Sequence, residues 1–327
     1  MDHSLPSVSV IMPVRNAEKT LDRTLETILY QSYTNIVEII LAVGPSDDET
    51  SVLAKELKKI DSRIQIVENR TGGTARGLNL ASKLATGEYL VRVDSHCLLP
   101  NNYVDIAVKK IKETGAGNVG GIQMATGESG FQSAVATAMT SKFGVGNSKF
   151  HYGGSEGPVD TVYLGVFDAA LFKELGGFDE KLVRNQDYEL NIRIREAGRS
   201  VWFTPEMVVK YLPRSNISQL FWQFFQYGSW KRKVIFKHPK SVKIRQLAPP
   251  SLVALIVASV VLFVVFSAWY LIPLATYLLV SIAVSILQRK LPLQLRVTLS
   301  LIFITMHVAW GLGFLVGRAT THTIPDK

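Results

Sequence analysis

Cysteine is nearly absent from the 327-residue sequence: Cys97 stands alone, which excludes a disulfide scaffold and a cysteine-rich zinc site. No G-x-G-x-x-G follows the first predicted strand and no P-loop occurs, so dinucleotide-binding and P-loop ATPase readings lack support. No internal repeat or low-complexity linker is present, and 19% charged residues in a varied alphabet exclude a disordered or collagenous chain. Acid is almost missing from the C-terminal third. Of 27 Asp and Glu, 26 lie at or before Glu206 and the last is Asp326. The 22 Lys and Arg of that N-terminal part leave it at −4, and the 14 that follow leave the remainder at +13, which together give the chain's +9. The basic residues flank apolar runs instead of lining a folded domain, so nucleic acid is not an expected partner.

Long apolar runs fill the acid-poor third. Ser251 to Leu287 is 37 residues without a charge, enough for two short membrane spans, and Pro273 predicts a hairpin turning around Trp269 to Pro273. Val297 to Gly317 is long enough for a third span. Lys231, Arg232, Lys233, Lys237, Lys240, Lys243 and Arg245 precede the first run, and Arg289, Lys290 and Arg296 follow it. By the positive-inside rule both clusters face the cytoplasm. No signal peptide is legible at the N-terminus. The expected organisation is a cytoplasmic domain over 1–212, a basic and aromatic interfacial segment over 213–250, membrane helices over 251–317 and a tail over 318–327, in the cell membrane.

In the first part, Ser7 to Met12, Ile36 to Val43, Ile64 to Val67 and Tyr89 to Val93 read as strands, the second being almost continuously apolar as in a parallel strand covered on both faces. Between them, helices are predicted after an Asn16 N-cap, after a Ser46–Glu49 capping box and after the Thr71–Thr74 turn. Four βα units imply an α/β, doubly wound, mostly parallel sheet, whose ligands sit outside the carboxyl ends of the strands. Asp94 and His96 stand at the fourth strand end, two residues apart, where oxygen and imidazole donors suit a divalent cation. Further on, Tyr163 to Phe167 reads as a strand, and Asp187 falls in the first turn of a helix carrying Leu190, Ile192 and Ile194, where the helix dipole favours a carboxylate.

The ordered segments VSVIMPVRNAEKTLDRTLETILYQSY, EIILAV, GLNLASKLATGEYLVRVDSHC and GVFDAALFKELGGFDEKLVRNQDYELNIRIREAG resemble the family 2 inverting glycosyltransferases. With Asp-x-His at the strand end and a YLPRS…Q…YG segment downstream, the sequence resembles in particular the succinoglycan-synthesis ExoA type. The resemblance implies a GT-A fold and roles for individual residues. Pro13, Val14 and Asn16 would line the nucleotide site, and Arg76 would approach the base or diphosphate. Asp94 and His96 would hold Mn²⁺ or Mg²⁺ on the donor diphosphate. Asp187 would be the catalytic base that deprotonates an acceptor hydroxyl. Gln226 and Trp230 sit at the spacing of the family's Gln-x-x-Arg-Trp motif, with Ser229 in place of the Arg, and Arg214 is a further diphosphate-side candidate. Val43 stands where the family usually has a base-reading Asp, with Asp47 and Asp48 displaced along the loop, and Gln186 stands where a Glu often precedes the base.

The implied activity is transfer of a hexose from a nucleotide-sugar, with a UDP-sugar expected, to a hydroxyl of a polyprenyl-linked saccharide in exopolysaccharide or cell-surface glycan synthesis. Two alternatives stay open: a polyprenyl-phosphate sugar transferase of the dolichyl-phosphate-mannose type, which needs no base, and a catalytically silent membrane scaffold. Phe221, Trp222, Phe224, Phe225, Tyr227 and Trp230 also allow a simple interfacial helix lying among membrane lipids. Cys97 reads as a small core residue, and Asp160 and Asp168, which flank the Tyr163–Phe167 strand, read equally as helix caps or as contacts to a sugar.

Overall fold

Apolar side chains pointing to both sides of the first strand dictate the architecture. In a computed structural model describing residues 5–317, Val10, Met12 and Val14 of β1 (Val8–Val14) enter one core, while Ile11 enters a second on the opposite face. A strand apolar on both faces has to be covered twice. The chain continues through α1 (Leu21–Leu29), β2 (Ile36–Val43), α2 (Thr50–Ile60), β3 (Ile64–Glu68), α3 (Thr74–Leu84), β4 (Tyr89–Arg92), α4 (Tyr103–Thr114) and β5 (Asn118–Ala125). Next come α5 (Gly130–Met139), the single turns α6 (Lys142–Val145) and α7 (Lys149–Tyr152), β6 (Gly157–Pro158), β7 (Tyr163–Asp168), α8 (Ala169–Glu174), α9 (Gln186–Glu196) and β8 (Val201–Tyr211). The C-terminal part is helical: α10 (Ile217–Lys237), α11 (Ile244–Val265), α12 (Ile272–Ile286) and α13 (Leu293–Val316).

The strands form one sheet in the order β3-β2-β1-β4-β7-β5-β8-β6. β1 pairs in parallel with β2 and β4, and β2 with β3, as the four βα units require. Antiparallel pairings of β7 with β4 and β5, and of β6 with β8, extend the sheet beyond the doubly wound half. α1 and α4 cover one face through Leu21, Leu25, Ile28, Val104 and Ile111, and α3, α8 and α9 the other through Leu78, Phe172, Leu190 and Ile194. By chain contacts the molecule divides into two compact units. One joins the residues up to Met124 with Gly153–Lys210, and the other joins Ala125–Tyr152 with the residues from Tyr211 onward.

Two helix starts differ from the sequence-based expectation. Asn16 is no N-cap: it adopts a left-handed backbone (φ 48°), and α1 begins five residues later with Thr20 at its N-cap position. Ser46 forms no capping box either; its hydroxyl donates to Gly44 O and accepts from Asn16 N–H, and the Asp48 carboxylate accepts from Thr50 N–H at the start of α2. In both places a short polar side chain found a partner on the neighbouring strand-end loop, which outcompeted the local cap.

One charged side chain is buried at the other end of the strands. Glu38 of β2 is 4% exposed and accepts from Ser9 Oγ, Thr86 N–H, Thr86 Oγ1 and Gln65 Nε2 at 2.6–2.9 Å. It joins β1, β2, β3 and the turn before β4. Glu38→Ala removes the acceptor and leaves the buried Ser9 hydroxyl without it, while Thr86 and Gln65 are exposed and can turn to water, so it is expected to cost about 1–3 kcal/mol. A clear drop in the melting temperature of the purified chain checks this; an unchanged one shows the donors satisfied elsewhere.

In the second unit, α13 packs against α10, α11, α12 and α5, with Leu299, Ile302, Phe303 and Met306 in a core shared with Leu220, Phe224, Val135 and Met139. Close approach of α10 and α13 depends on glycine: a Cβ on Gly228 would lie 2.0 Å from Trp310 O, and one on Gly313 2.0 Å from Phe225 O. Small residues at such crossings are what membrane helices use to pack tightly. Among the described residues three helices are long and apolar enough to cross a membrane, Ile244–Val265, Ala268–Ile286 and Leu293–Val316. The first starts before the uncharged run and carries Arg245, Pro249 and Pro250 in its opening turns. The break between the first two falls at Phe266–Ser267, and Pro273 sits in the first turn of α12, where its missing N–H costs nothing. The tail expected over 318–327 lies outside the described residues.

Candidate active site

β4 is short and apolar except at its end. Arg92 closes it, Val93 follows in the core with its N–H donating to Ile11 O, and Asp94 opens a turn in which Cys97 N–H donates to Asp94 O. The hydroxyls of Thr20 and Thr24 both donate to Ser95 O, at 2.8 and 3.1 Å, and so fasten the turn to α1. The strand end is thereby held from two sides, and Asp94 and His96 are presented beyond it.

The oxygen of Asp94, the imidazole nitrogen of His96 and the sulfur of Cys97 lie within 4.8 Å of one another. Asp94 is partly buried and His96 exposed, a carboxylate–imidazole donor set that fits Mn²⁺ or Mg²⁺. Cys97 plays a different part. It is fully buried with Sγ 3.4 Å from Tyr163 Oη, and burial, with the Asp94 carboxylate nearby, pushes its thiol up to about 12. It therefore stays protonated at neutral pH, where only the thiolate binds metal or reacts. Iodoacetamide at pH 8 is expected to leave Cys97 of the folded chain unmodified and to label it after denaturation; rapid labelling of the folded chain would contradict its burial.

Asp187 reaches the same place from a distant part of the chain. The loop before α9 is pinned by Asn79 of α3, which donates to Phe178 O and accepts from Phe178 N–H, at 2.8 and 2.9 Å. Gly177 in that loop has φ +70°, and a Cβ there would stand 2.5 Å from Asn79 Oδ1, so glycine is required on both counts. Arg193 of α9 donates to Leu175 O and Gly177 O and is itself gripped by the fully buried Glu189. The first turn of α9 thus has a fixed seat, and its Asp187 accepts from Arg92 Nη1. Arg92 also donates from Nε and Nη2 to Asp94 Oδ1, at 3.2 and 3.0 Å. The structure therefore brings together Asp94 and Asp187, the two residues on which the sequence placed most of the chemistry, through a third that the sequence reading passed over. A lone Arg in the apolar run of a buried strand, two residues before the strand-end Asp, was the signal.

The remaining candidates fall in several places. Asn16 lies at the end of β1, exposed, with Nδ2 3.4 Å from Asp47 Oδ2 and Oδ1 accepting from Asp47 N–H. Asp47 is thus brought to the strand end where Val43 offers no carboxylate. Pro13 is half-buried, whereas the Val14 side chain belongs to the core and its carbonyl accepts from Gly44 N–H. Arg76 is exposed on α3, 3.8 Å from Glu180. Arg214, Gln226 and Trp230 belong to the second unit, and Trp230 is buried with the Lys233 ammonium 4.8 Å from its ring. The expected interfacial face of α10 is divided: Phe224 and Trp230 are interior, and Trp222 is exposed. Asp168 caps α8, accepting from Leu171 N–H.

Known proteins place this fold in a class. The chain superposes on a mannosyltransferase from Pyrobaculum calidifontis, solved with GDP-Man and Mn²⁺, with a TM-score of 0.66 over 94% of this chain and 87% of that one at 19% identity. It superposes on GalNAc-T7, solved with UDP, GalNAc and Mn²⁺, with a TM-score of 0.51 over 71% of this chain and 51% of that one at 17% identity. The fold is that of the GT-A glycosyltransferases. The sequence matches the profile of glycosyl transferase family 2 over residues 9–176, and it is 32% identical over 243 residues to the succinoglycan biosynthesis protein ExoA of Rhizobium meliloti, covering 73% of each chain. The chain belongs to glycosyl transferase family 2. It is also 28% identical, over 70% of its length and 74% of the relative's, to a dolichyl N-acetyl-α-D-glucosaminyl phosphate 3-β-D-2,3-diacetamido-2,3-dideoxy-β-D-glucuronosyltransferase of Methanococcus voltae.

Proposed function

We propose that this membrane glycosyltransferase moves a hexose from a nucleotide-sugar to a hydroxyl of a polyprenyl-linked saccharide, with inversion, at the cytoplasmic face of the cell membrane. The observation that carries this reading is the seat of Asp187: a carboxylate in the first turn of α9, tied by Arg92 to the strand-end Asp94. A base beside the metal-side carboxylate suits deprotonation of a hydroxyl next to a departing diphosphate. The Methanococcus relative's name, a sugar transferase acting on a dolichyl-linked saccharide, supports an acceptor of this kind.

Asp187 takes the acceptor hydroxyl's proton as its oxygen forms a bond to the anomeric carbon, and the bond from that carbon to the diphosphate oxygen breaks on the opposite face. Asp94 and His96 are the residues that would hold Mn²⁺ or Mg²⁺, which supplies charge neutralisation for the leaving diphosphate. Asn16 and Asp47 stand at the strand ends where the nucleotide of a GT-A donor is expected, and Arg76 is an exposed cation on α3. The C-terminal helices confine the enzyme to the surface that carries a lipid-linked acceptor, which raises its effective concentration.

The test offers labelled UDP- and GDP-hexoses to membranes holding the full chain, with Mn²⁺, Mg²⁺ or EDTA. Metal-dependent transfer of label to lipid-extractable saccharide supports the reading and names the donor. Transfer to a bare polyprenyl phosphate that survives Asp187→Asn would replace it by the phosphate-acceptor alternative, and no transfer with any donor would leave the scaffold alternative.

A further inference from the structure

Arg92 sits at the junction of two carboxylates, one two residues on and the other 95 residues on. Its side chain is only 4% exposed, while Asp94 and Asp187 are 20% and 28% exposed. Nε and Nη2 donate to Asp94 Oδ1, Nη2 lies 3.4 Å from Asp94 Oδ2, and Nη1 donates to Asp187 Oδ1. The guanidinium lies 5.7 Å from the ring centroid of Phe178, in the loop that leads to α9. A buried guanidinium is tolerable only when paired. Here its planar fork is shared between one residue assigned to the metal and one assigned to the base. A lysine, a point charge on a flexible stem, cannot span both.

We propose that Arg92 is a positioning residue that couples the two halves of the site, holding Asp187 in its orientation and opposing cation binding at Asp94. The inference rests on the glycosyl-transfer reading above and deepens it. With Oδ1 of Asp187 taken by Arg92, proton acceptance falls to Oδ2, so the guanidinium selects which oxygen faces the acceptor. On the other side, a fixed positive charge beside Asp94 lowers the affinity of that carboxylate for any cation, so the metal is held firmly only with the anionic diphosphate of the donor. Arg92 would thus tie tight metal binding to the presence of substrate, and release of the metal to departure of the nucleotide.

The two roles predict opposite effects of one substitution. Purified full-length chain in detergent is titrated with Mn²⁺ alone and followed by the loss of the free Mn²⁺ EPR signal, and transfer is measured in parallel with donor saturating. Arg92→Met is expected to tighten Mn²⁺ binding about fivefold, the effect of removing one nearby charge, while lowering kcat about 10–100-fold. Arg92→Lys keeps the charge and loses the fork: Mn²⁺ affinity should stay within about twofold of wild type, while kcat still falls about tenfold or more. A role confined to stability would weaken both readouts together. Arg92→Lys also provides a folded comparison should the methionine variant fail to fold. Asp187→Asn, which removes one negative charge beside Arg92 and leaves the positive charge less compensated, is expected to weaken Mn²⁺ binding about threefold. Turnover within twofold of wild type in Arg92→Met and Arg92→Lys, or Mn²⁺ binding that weakens in Arg92→Met, would overturn the coupling. If that occurs while Asp187→Asn is inactive, only the role of Arg92 falls. If Asp187→Asn retains full transfer, the base assignment itself falls.

Discussion

Asp187→Asn should lower transfer to a saccharide hydroxyl by about 10²–10⁴-fold, the range that a positioned general base contributes. The replacement keeps the size of the side chain, and its amide oxygen can still accept from Arg92 Nη1, so α9 should stay seated by Arg193, Glu189 and Asn79. What disappears is a basic oxygen to take the proton. Donor KM should change little, because the loss is confined to the transition state. The measurement is kcat and KM for wild type and variant at saturating metal. An equal fall in donor affinity would show that Asp187 acts in binding, and undiminished kcat would remove it from the chemistry.

Asp94→Asn should be nearly as damaging, for a different reason. Asp94 offers the single carboxylate of the proposed metal pair, and its partner His96 is a neutral donor when it coordinates. Loss of that charge is expected to weaken Mn²⁺ binding by 10-fold or more and to lower transfer about 10²-fold or more, several kcal/mol of leaving-group stabilisation. High Mn²⁺ should restore part of the activity of Asp94→Asn and none of that of Asp187→Asn. Equal rescue of both, or of neither, would contradict the division of roles between the two carboxylates.

The place of the candidate site was legible in the strand pattern, since the ligands of such a sheet gather at its carboxyl strand ends, while the roles given to Asp94 and Asp187 came from the resemblance to family 2. The apolar run of β2 announced a sheet covered on both faces, and Asp94 stands just past the apolar strand β4 and Asp187 in the first turn of α9. The three apolar helices were equally plain, since length and absence of charge are one-dimensional properties. What sequence concealed depends on long-range pairing. Arg92 acquires its meaning only when α9, 95 residues away, delivers Asp187 to it. Asn16 looked like a cap because local chemistry favours one, yet its partners Ser46 and Asp47 lie 30 and 31 residues on. Glu38, a lone charge inside an apolar strand, needed the turn before β4 to supply Thr86. Likewise, nothing local to residues 125–152 shows that they gather with the C-terminal helices and not with the sheet.

The most direct measurement of the central claim is the anomeric configuration of the product. Membranes containing the full chain would be given a ¹³C-labelled α-linked nucleotide-hexose with Mn²⁺, and the lipid-extracted saccharide read by NMR. The account predicts labelled saccharide in β linkage, absent when Asp187 is Asn. An α-linked product, or equal yield from the Asp187→Asn chain, would contradict a single displacement driven by this base.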